Sequence, residues 1–108
     1  MEPREISKMH AQICQCFANP CRIEIIEALT EKGRTTAELA RRLKTTRANV
    51  SQHLKMMKDS GIVVAARQGR NVEYSLSNEK LKALFRMERA ILGEMVEQKA
   101  KLIRSENK

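Results

Sequence analysis

One stretch of the chain, residues 45–61, constrains both fold and chemistry most strongly and reads TTRANVSQHLKMMKDSG. Val50, Leu54 and Met57 fall at i, i+4 and i+7, which places three apolar side chains on one face of a helix. The other positions carry groups that donate to bases or phosphates, with no acid before Asp59. An ordinary solvated helix alternates acids and bases to form i,i+4 pairs. We therefore interpret this stretch as a recognition helix, and a solvated basic helix is the alternative.

Nine side chains in and after this helix are candidate DNA contacts. Asn and Gln offer the donor–acceptor pair that suits adenine, and Arg suits guanine. His53 is expected on the DNA face or packed against the turn. The candidates for base reading are Arg47, Asn49, Ser51 and Gln52, those for phosphate or minor-groove contact are Lys55, Arg67 and Arg70, and Thr46 and His53 complete the set.

The charge of the chain is concentrated around this stretch. The net charge is +8, and residues 39–72 hold eight basic residues and one acid, or +7. The remainder holds thirteen basic and twelve acidic residues, or +1. Such a local excess is typical of a polyanion footprint. One Tyr, two Phe and no Trp leave almost nothing on which to stack unpaired bases, which favours duplex DNA over single strands.

The residues before the recognition helix predict two longer helices and a short one. Asn19 followed by Pro20 is a strong helix start, with Asn as the N-cap. Gly33 is expected to end that helix in a left-handed conformation. Thr35 and Glu38 have the spacing of a capping box for the short helix. The fold class is thus mainly α with a small β-hairpin, a winged helix-turn-helix in one domain (1–108), with the helix-turn-helix at 35–61 and the wing at 62–76.

The last third of the chain predicts that wing and a long final helix. Residues 72–76 alternate apolar and polar side chains, and a turn containing Gly69 joins them to an apolar stretch. Ser77 or Asn78 caps a helix running towards Ser105, about 37 Å long. A small core cannot cover that length, so we expect a homodimer built from the first and last helices. The apolar face comprises Leu81, Leu84, Phe85, Ile91, Leu92, Met95, Leu102 and Ile103.

Three phrases of the sequence together resemble the ArsR (ArsR/SmtB) family of dimeric winged-helix repressors. They are FANPCRIEII, TAELARRLKTTRANVSQHLKMMKDSGIV and RQGRNVEYSLS, and the resemblance covers nearly the whole chain. It implies a homodimer bound to a double-stranded operator near its own promoter, released when a ligand lowers its DNA affinity.

The chain departs from two metal sites that the resemblance would imply. A Cys-x-Cys pair at the start of the third helix is replaced by Thr35 and Ala37. Residues 79–104 contain neither His nor Asp, so a zinc or nickel site on the last helix is not expected.

Three cysteines, Cys14, Cys16 and Cys21, lie close together elsewhere in the sequence. Cys14 and Cys16 point to opposite sides of a helix unless the helix ends there. Cys21 is in the first turn of the next helix, where the dipole favours thiolate. Clustered thiolates suit soft ions, so the expected effector is arsenite, Cd(II) or Zn(II) bound by all three. The alternatives are a thiol-redox sensor using the same cysteines and plain buried core residues.

Other classes of protein fit less well. An enzyme is not expected, because no acid–base pair, phosphate loop or nucleophile–base arrangement appears. There is no apolar run of membrane-spanning length and no signal peptide, which predicts a cytoplasmic protein without a membrane partner. A thiol-handling protein that uses the fold as a scaffold would gain nothing from the +7 footprint. An architectural DNA-binding protein without an effector is an open alternative.

Overall fold

The computed structural model describes residues 1–107, which form five helices and three strands. The helices are α1 (Pro3–Cys16), α2 (Pro20–Glu31), α3 (Thr36–Leu43), α4 (Arg47–Asp59) and α5 (Glu79–Glu106), and the strands are β1 (Arg34–Thr35), β2 (Val63–Gln68) and β3 (Asn71–Leu76). The mainly α winged helix-turn-helix is confirmed.

The helix starts follow the predicted side-chain caps. The side-chain oxygen of Asn19 accepts from the backbone N–H groups of Cys21 at 2.9 Å and Arg22 at 3.2 Å. Thr35 and Glu38 form both halves of a capping box at the start of α3. Asn78, one of the two predicted residues, caps α5. Each cap satisfies backbone donors that the first turn of a helix leaves without partners.

The turn between α3 and α4 sets the angle of the second helix. Lys44 occupies the left-handed region at φ 57°, ψ 46°. The backbone N–H of Thr45 then bonds the carbonyl of Ala40 at 3.0 Å, which closes the end of α3. The hydroxyl of Thr46 accepts from Asn49 N at 3.1 Å and caps α4. The predicted helix-turn-helix is therefore present, joined by three residues.

The sheet has one strand more than the sequence predicted. The short strand β1 pairs with β3, opposing Arg34 to Tyr74, so the strand order is β1-β3-β2. A two-residue strand has no alternation that sequence can reveal. In the β2–β3 hairpin, Gly69 has φ 63° at the first of two loop positions, the sign that a type II′ turn requires there.

The predicted role of Gly33 is wrong. It does not have positive φ, and α2 ends two residues earlier, at Glu31. A Cβ at position 33 would overlap the carboxylate of Glu73 and lie 2.8 Å from Ser75 Oγ. Position 33 is glycine because side chains of β3 pack against it. The helix that does end in a left-handed residue is α3, at Lys44.

The core lies under the helix-turn-helix and joins residues of all five helices with residues of β2 and β3. α4 contributes Val50, Leu54 and Met57, as its spacing predicted. The sequence predicts Ile23, Ile26 and Leu29 as the inward positions of α2, but Ile25 is also fully buried and Ile23 lies at the edge of the core. The largest fully buried side chains are Ile25, Ile26, Leu29, Leu39, Leu54, Met57, Ile62, Val50, Val63 and Cys16.

The two terminal helices expose apolar side chains to solvent. Only Phe85 of α5 is buried, and eight large apolar side chains of this helix are each at least 45% exposed. Ile6 and Met9 of α1 are exposed as well. With 28 residues, α5 extends about 42 Å, well past the core. None of the helices within residues 1–107 combines the length and apolarity needed to cross a membrane.

Candidate nucleic-acid interface

The face of α4 that points to solvent is polar and basic. Val50, Leu54 and Met57 anchor the opposite face in the core, which fixes the rotation of the helix about its axis. Because successive residues are 100° apart, that anchor turns a defined set of side chains outward. The exposed set is Arg47, Ala48, Ser51, Gln52, Lys55, Lys58 and Asp59. Four of the predicted contacts, Arg47, Ser51, Gln52 and Lys55, are thus presented together.

The hairpin presents two more of the predicted side chains. Arg67 and Arg70 are exposed on either side of Gly69 at the tip formed by β2 and β3. Val63, at the start of β2, is buried in the core that also holds α4. The hairpin therefore emerges from the same core as the recognition helix and ends in two guanidinium groups.

The basic side chains of this surface are available to an outside anion. Ion pairs among residues 1–107 engage Arg34, Arg42, Lys82 and Arg89. Arg42, which forms an ion pair with Glu31 at 2.9 Å, is on α3 and not on the recognition helix α4. No ion pair within that range involves Arg47, Lys55 or the two wing arginines. Charge left without a counter-ion on a folded surface attracts a polyanion and makes its binding dependent on salt.

Asn49 and His53 do not join this surface. Asn49 Nδ2 donates to Thr45 Oγ1 at 3.1 Å and to Cys21 Sγ at 3.7 Å. His53 Nδ1 lies 3.4 Å from Arg22 Nη1. Both residues are half-buried, on the edge of α4 that faces the start of α2. Sequence reasoning divided α4 into two faces, but 3.6 residues per turn also create edges, and these two residues fall on one. Asn49 Nδ2 and His53 Nδ1 are engaged in these contacts, so we leave both residues out of the proposed base-reading set.

The three cysteines differ in their exposure to solvent. Cys14 is exposed, Cys16 is fully buried, and Cys21 is half-buried. This agrees with the expectation that Cys14 and Cys16 point to opposite sides. Cys16 Sγ donates to the carbonyl of Gln12 at 3.9 Å within α1, whereas Cys21 Sγ accepts from Asn49 Nδ2 in the first turn of α4 at 3.7 Å.

A single Zn²⁺ holds each sulfur ligand at about 2.3 Å, so three thiols that share one ion must lie close together. Among the side chains of residues 1–107, no group of three or more His, Cys, Asp or Glu has the geometry of a metal site.

The expected activation of Cys21 by the helix start is wrong. Burial raises the pKa of this thiol, the nearby Glu24 carboxylate raises it further, and Asn49 and Arg22 only partly oppose the rise. Burial also raises the pKa of Cys16. Desolvation disfavours the charged thiolate and is the largest cause of the shift at both cysteines. At neutral pH both groups are therefore thiols in this conformation.

Arg22 is a residue that sequence reasoning missed. Its Nε and Nη2 donate to the carbonyl oxygen of Gln15 at 3.2 and 2.8 Å, and its Nη1 faces His53. This guanidinium links the last turn of α1 with α4. One signal was available, because a basic residue in the first turn of a helix opposes the helix dipole and requires another reason to be there.

Comparison with known proteins gives the same architecture. A family model described as a helix-turn-helix domain matches residues 17–64. The HTH-type transcriptional repressor SmtB of Mycobacterium tuberculosis is 39% identical over 79 residues, which is 73% of this chain. That match spans 58% of the length of the repressor.

Two solved structures are similar over most of the fold. The cadmium metal-sensor CmtR from M. tuberculosis, solved by NMR, has a TM-score of 0.61 and is 37% identical, covering 68% of this chain and 75% of that one. The homodimeric winged helix-turn-helix DNA-binding domain Mb0332 from Mycobacterium bovis has a TM-score of 0.82 at 23% identity, covering 91% and 93%. The similarity to Mb0332 shows the fold alone, whereas the similarity to CmtR extends to the sequence.

Proposed function

The chain belongs to the ArsR/SmtB family of winged-helix transcriptional regulators, and we propose that it is a cytoplasmic repressor that binds a double-stranded operator as a homodimer. The observation that carries the proposal is the solvent face of α4, which combines base-reading and phosphate-binding side chains without an acid before Asp59. The β2–β3 hairpin, which starts from the same core as α4, has Arg67 and Arg70 at its tip. A helix of this kind fits the major groove while a basic wing contacts the backbone or the minor groove.

The residues have separate roles in this proposal. Arg47, Ser51 and Gln52 read base edges, because they project from the first half of α4, the part of a recognition helix that contacts bases. Lys55, Arg67 and Arg70 neutralise phosphates or enter the minor groove. Thr46 is the exposed N-cap of α4, and a helix N-terminus is a site where a phosphate can bind, so we assign Thr46 to phosphate contact.

The homodimer covers the apolar surfaces of α1 and α5. Ile6, Met9 and the row from Leu84 to Ile103 are exposed in one protomer, far more than a soluble monomer ordinarily leaves open on one helix. A second copy supplies an equivalent apolar surface, and most soluble homo-oligomers are two-fold dimers. The homodimeric state of the Mb0332 domain supports this assignment.

We propose a thiophilic ion, arsenite, Cd(II) or Zn(II), as the effector, with Cys14, Cys16 and Cys21 as its ligands. The donor set fits the chemistry, since thiolates prefer soft metals. Its geometry in one protomer does not fit without movement, so ligand binding has to displace the residues between α1 and α2. CmtR is a cadmium metal-sensor, which supports a metal as the effector class. Thiol oxidation by the same cysteines is the second candidate, favoured by the exposure of Cys14.

The proposal is tested by titrating the reduced protein on a labelled duplex from its own promoter region, with and without Cd(II) or arsenite. The wild-type protein is expected to bind and then be released by one of these ions. Cys21→Ser keeps a hydrogen-bond acceptor but removes the soft ligand, so it should bind equally well and resist release. Wild-type binding that no thiophile or oxidant alters would overturn the effector assignment, and absence of binding to any promoter duplex would overturn the repressor itself.

A further inference from the structure

Two consecutive residues of α2 contact the recognition helix one turn apart. Cys21 Sγ accepts from Asn49 Nδ2 at 3.7 Å, and Arg22 Nη1 lies 3.4 Å from His53 Nδ1. Asn49 and His53 are at i and i+4, so both contacts fall on one edge of α4. The core holds the opposite face of α4 through Val50, Leu54 and Met57, and these two contacts tie this edge of the helix to the start of α2.

The start of α2, which carries Cys21 and Arg22, is held by further hydrogen bonds. Asn19 holds the backbone N–H groups of both Cys21 and Arg22, at 2.9 and 3.2 Å. The guanidinium of Arg22 also binds the Gln15 carbonyl through two nitrogens. That carbonyl, in the last turn of α1, also accepts from the backbone N–H of Ala18 at 3.2 Å. The α2 start is therefore tied to α1 as well as to α4.

The recognition side extends into the turn of the helix-turn-helix. Asn49 Nδ2 donates to Thr45 Oγ1 at 3.1 Å, besides its contact with Cys21. The same residue thus links α2, the turn and the first turn of α4. Gln52, which we assign to base reading, lies between Asn49 and His53 in the sequence and projects from the exposed side of the same turn.

The protonation state of His53 agrees with the contact. A ring nitrogen that faces a guanidinium must accept rather than donate, which requires the neutral imidazole. Burial lowers the pKa of His53, and the charge of Arg22 lowers it further. The neutral ring is thus the form favoured at physiological pH.

We propose that Cys21–Asn49 and Arg22–His53 form a two-point latch that orients the recognition helix within each protomer. Asn49 and His53 are then positioning residues for DNA binding, and the start of α2 is the part of the protein whose displacement reorients α4. The inference rests on the proposed function only in treating α4 as the helix that reads DNA. It gives the cysteine region a direct route to that helix that does not pass through the dimer interface.

The latch is tested first without DNA, by hydrogen exchange of backbone amides in the full-length protein. Asn49→Ala, Cys21→Ala and Arg22→Lys are expected to speed exchange in α4 by about tenfold while α5 exchanges as in wild type. Lysine keeps the charge of Arg22 but cannot bind Gln15 and His53 together. Cys21→Ser, which restores an acceptor for Asn49, should retain wild-type protection, and Arg86→Lys on exposed α5 is the matched control.

The second readout is the ratio of operator binding to binding of a scrambled duplex. The latch variants should lose about tenfold on the operator, the cost of one lost base contact, and little on the scrambled duplex, because phosphate contacts tolerate misorientation better. Unchanged α4 exchange in all three variants would overturn the latch even if the protein is a repressor. Equal acceleration in α4 and α5 would also overturn it, because that pattern indicates general destabilisation. If the wild type binds no promoter duplex, the repressor fails while the exchange result still decides the latch.

Discussion

The amide of Asn49, in the first turn of the recognition helix, donates to the sulfur of Cys21 at the start of α2, 3.7 Å away. This contact joins the region proposed to sense an effector with the helix proposed to read DNA. It also removes from the base-reading set a residue whose amide would otherwise suit adenine. The remaining readers, Arg47, Ser51 and Gln52, are all exposed.

Gln52→Ala and Arg70→Ala should affect DNA binding in different ways. Gln52→Ala is expected to cost about 1–3 kcal/mol on the operator and little on random duplex, because it removes a base contact. Arg70→Ala removes a phosphate or minor-groove contact, so it should weaken both alike and reduce the salt slope by about 1. Fluorescence anisotropy at several salt concentrations measures both effects. Equal loss on the two duplexes for Gln52→Ala would exclude it from base reading.

Leu92→Glu should impair dimerisation. This side chain is half-exposed on α5, and a partner surface over it would bury the new carboxylate without a counter-charge. Sedimentation at micromolar concentration should show dimers for the wild type and monomers for the variant. Lys80→Glu, at the exposed start of the same helix, should remain dimeric. A monomeric wild type would contradict the assembly outright.

Gly33→Ala should destabilise the fold by about 1 kcal/mol. The new Cβ meets the Glu73 carboxylate and Ser75 Oγ, and overpacking of this kind costs about 1–3 kcal/mol before flexible side chains move away. Adding Glu73→Ala should recover part of the loss, since it removes the closer neighbour. Urea unfolding of the two variants and the wild type measures this. A stabilised single variant would show that backbone entropy outweighs the contact.

Thermal stability should fall as the pH is lowered from 7.5 to 5.5. The pKa of His53 is lower in the folded protein than its ordinary 6.5, because burial and then Arg22 disfavour the charged ring. A group whose pKa is lower in the folded state contributes stability at pH values above its unfolded-state pKa. That contribution is lost as the pH falls through its folded-state pKa. His53→Asn, which keeps an acceptor near Arg22, should reduce the pH dependence.

The sequence predicted what depends on local side-chain chemistry. The caps at Asn19, Thr35 and Asn78 and the inward face of α4 follow from spacing alone, because each involves residues within one or two turns. What it missed depends on distant partners. Gly33 is explained by β3, forty residues away in the chain, and β1 exists only because β3 pairs with it.

The candidate site shows the same division. The outward residues of α4 follow from its apolar stripe, whereas the orientation of Asn49 and His53 depends on where α2 begins in space. The dipole argument for Cys21 considered only the local helix start, whereas burial, a tertiary property, is the largest cause of the raised thiol pKa.

The most direct test of the account is a hydroxyl-radical footprint of the wild-type protein on its own promoter duplex. A dimer with one recognition helix per protomer should protect two segments related by a dyad, with centres about 34 Å or one helical turn apart. Additional protection at the flanks should disappear in Arg70→Ala, because the wing makes it. A single protected segment, or uniform protection without a dyad, would contradict the proposal that two copies of α4 read an inverted repeat.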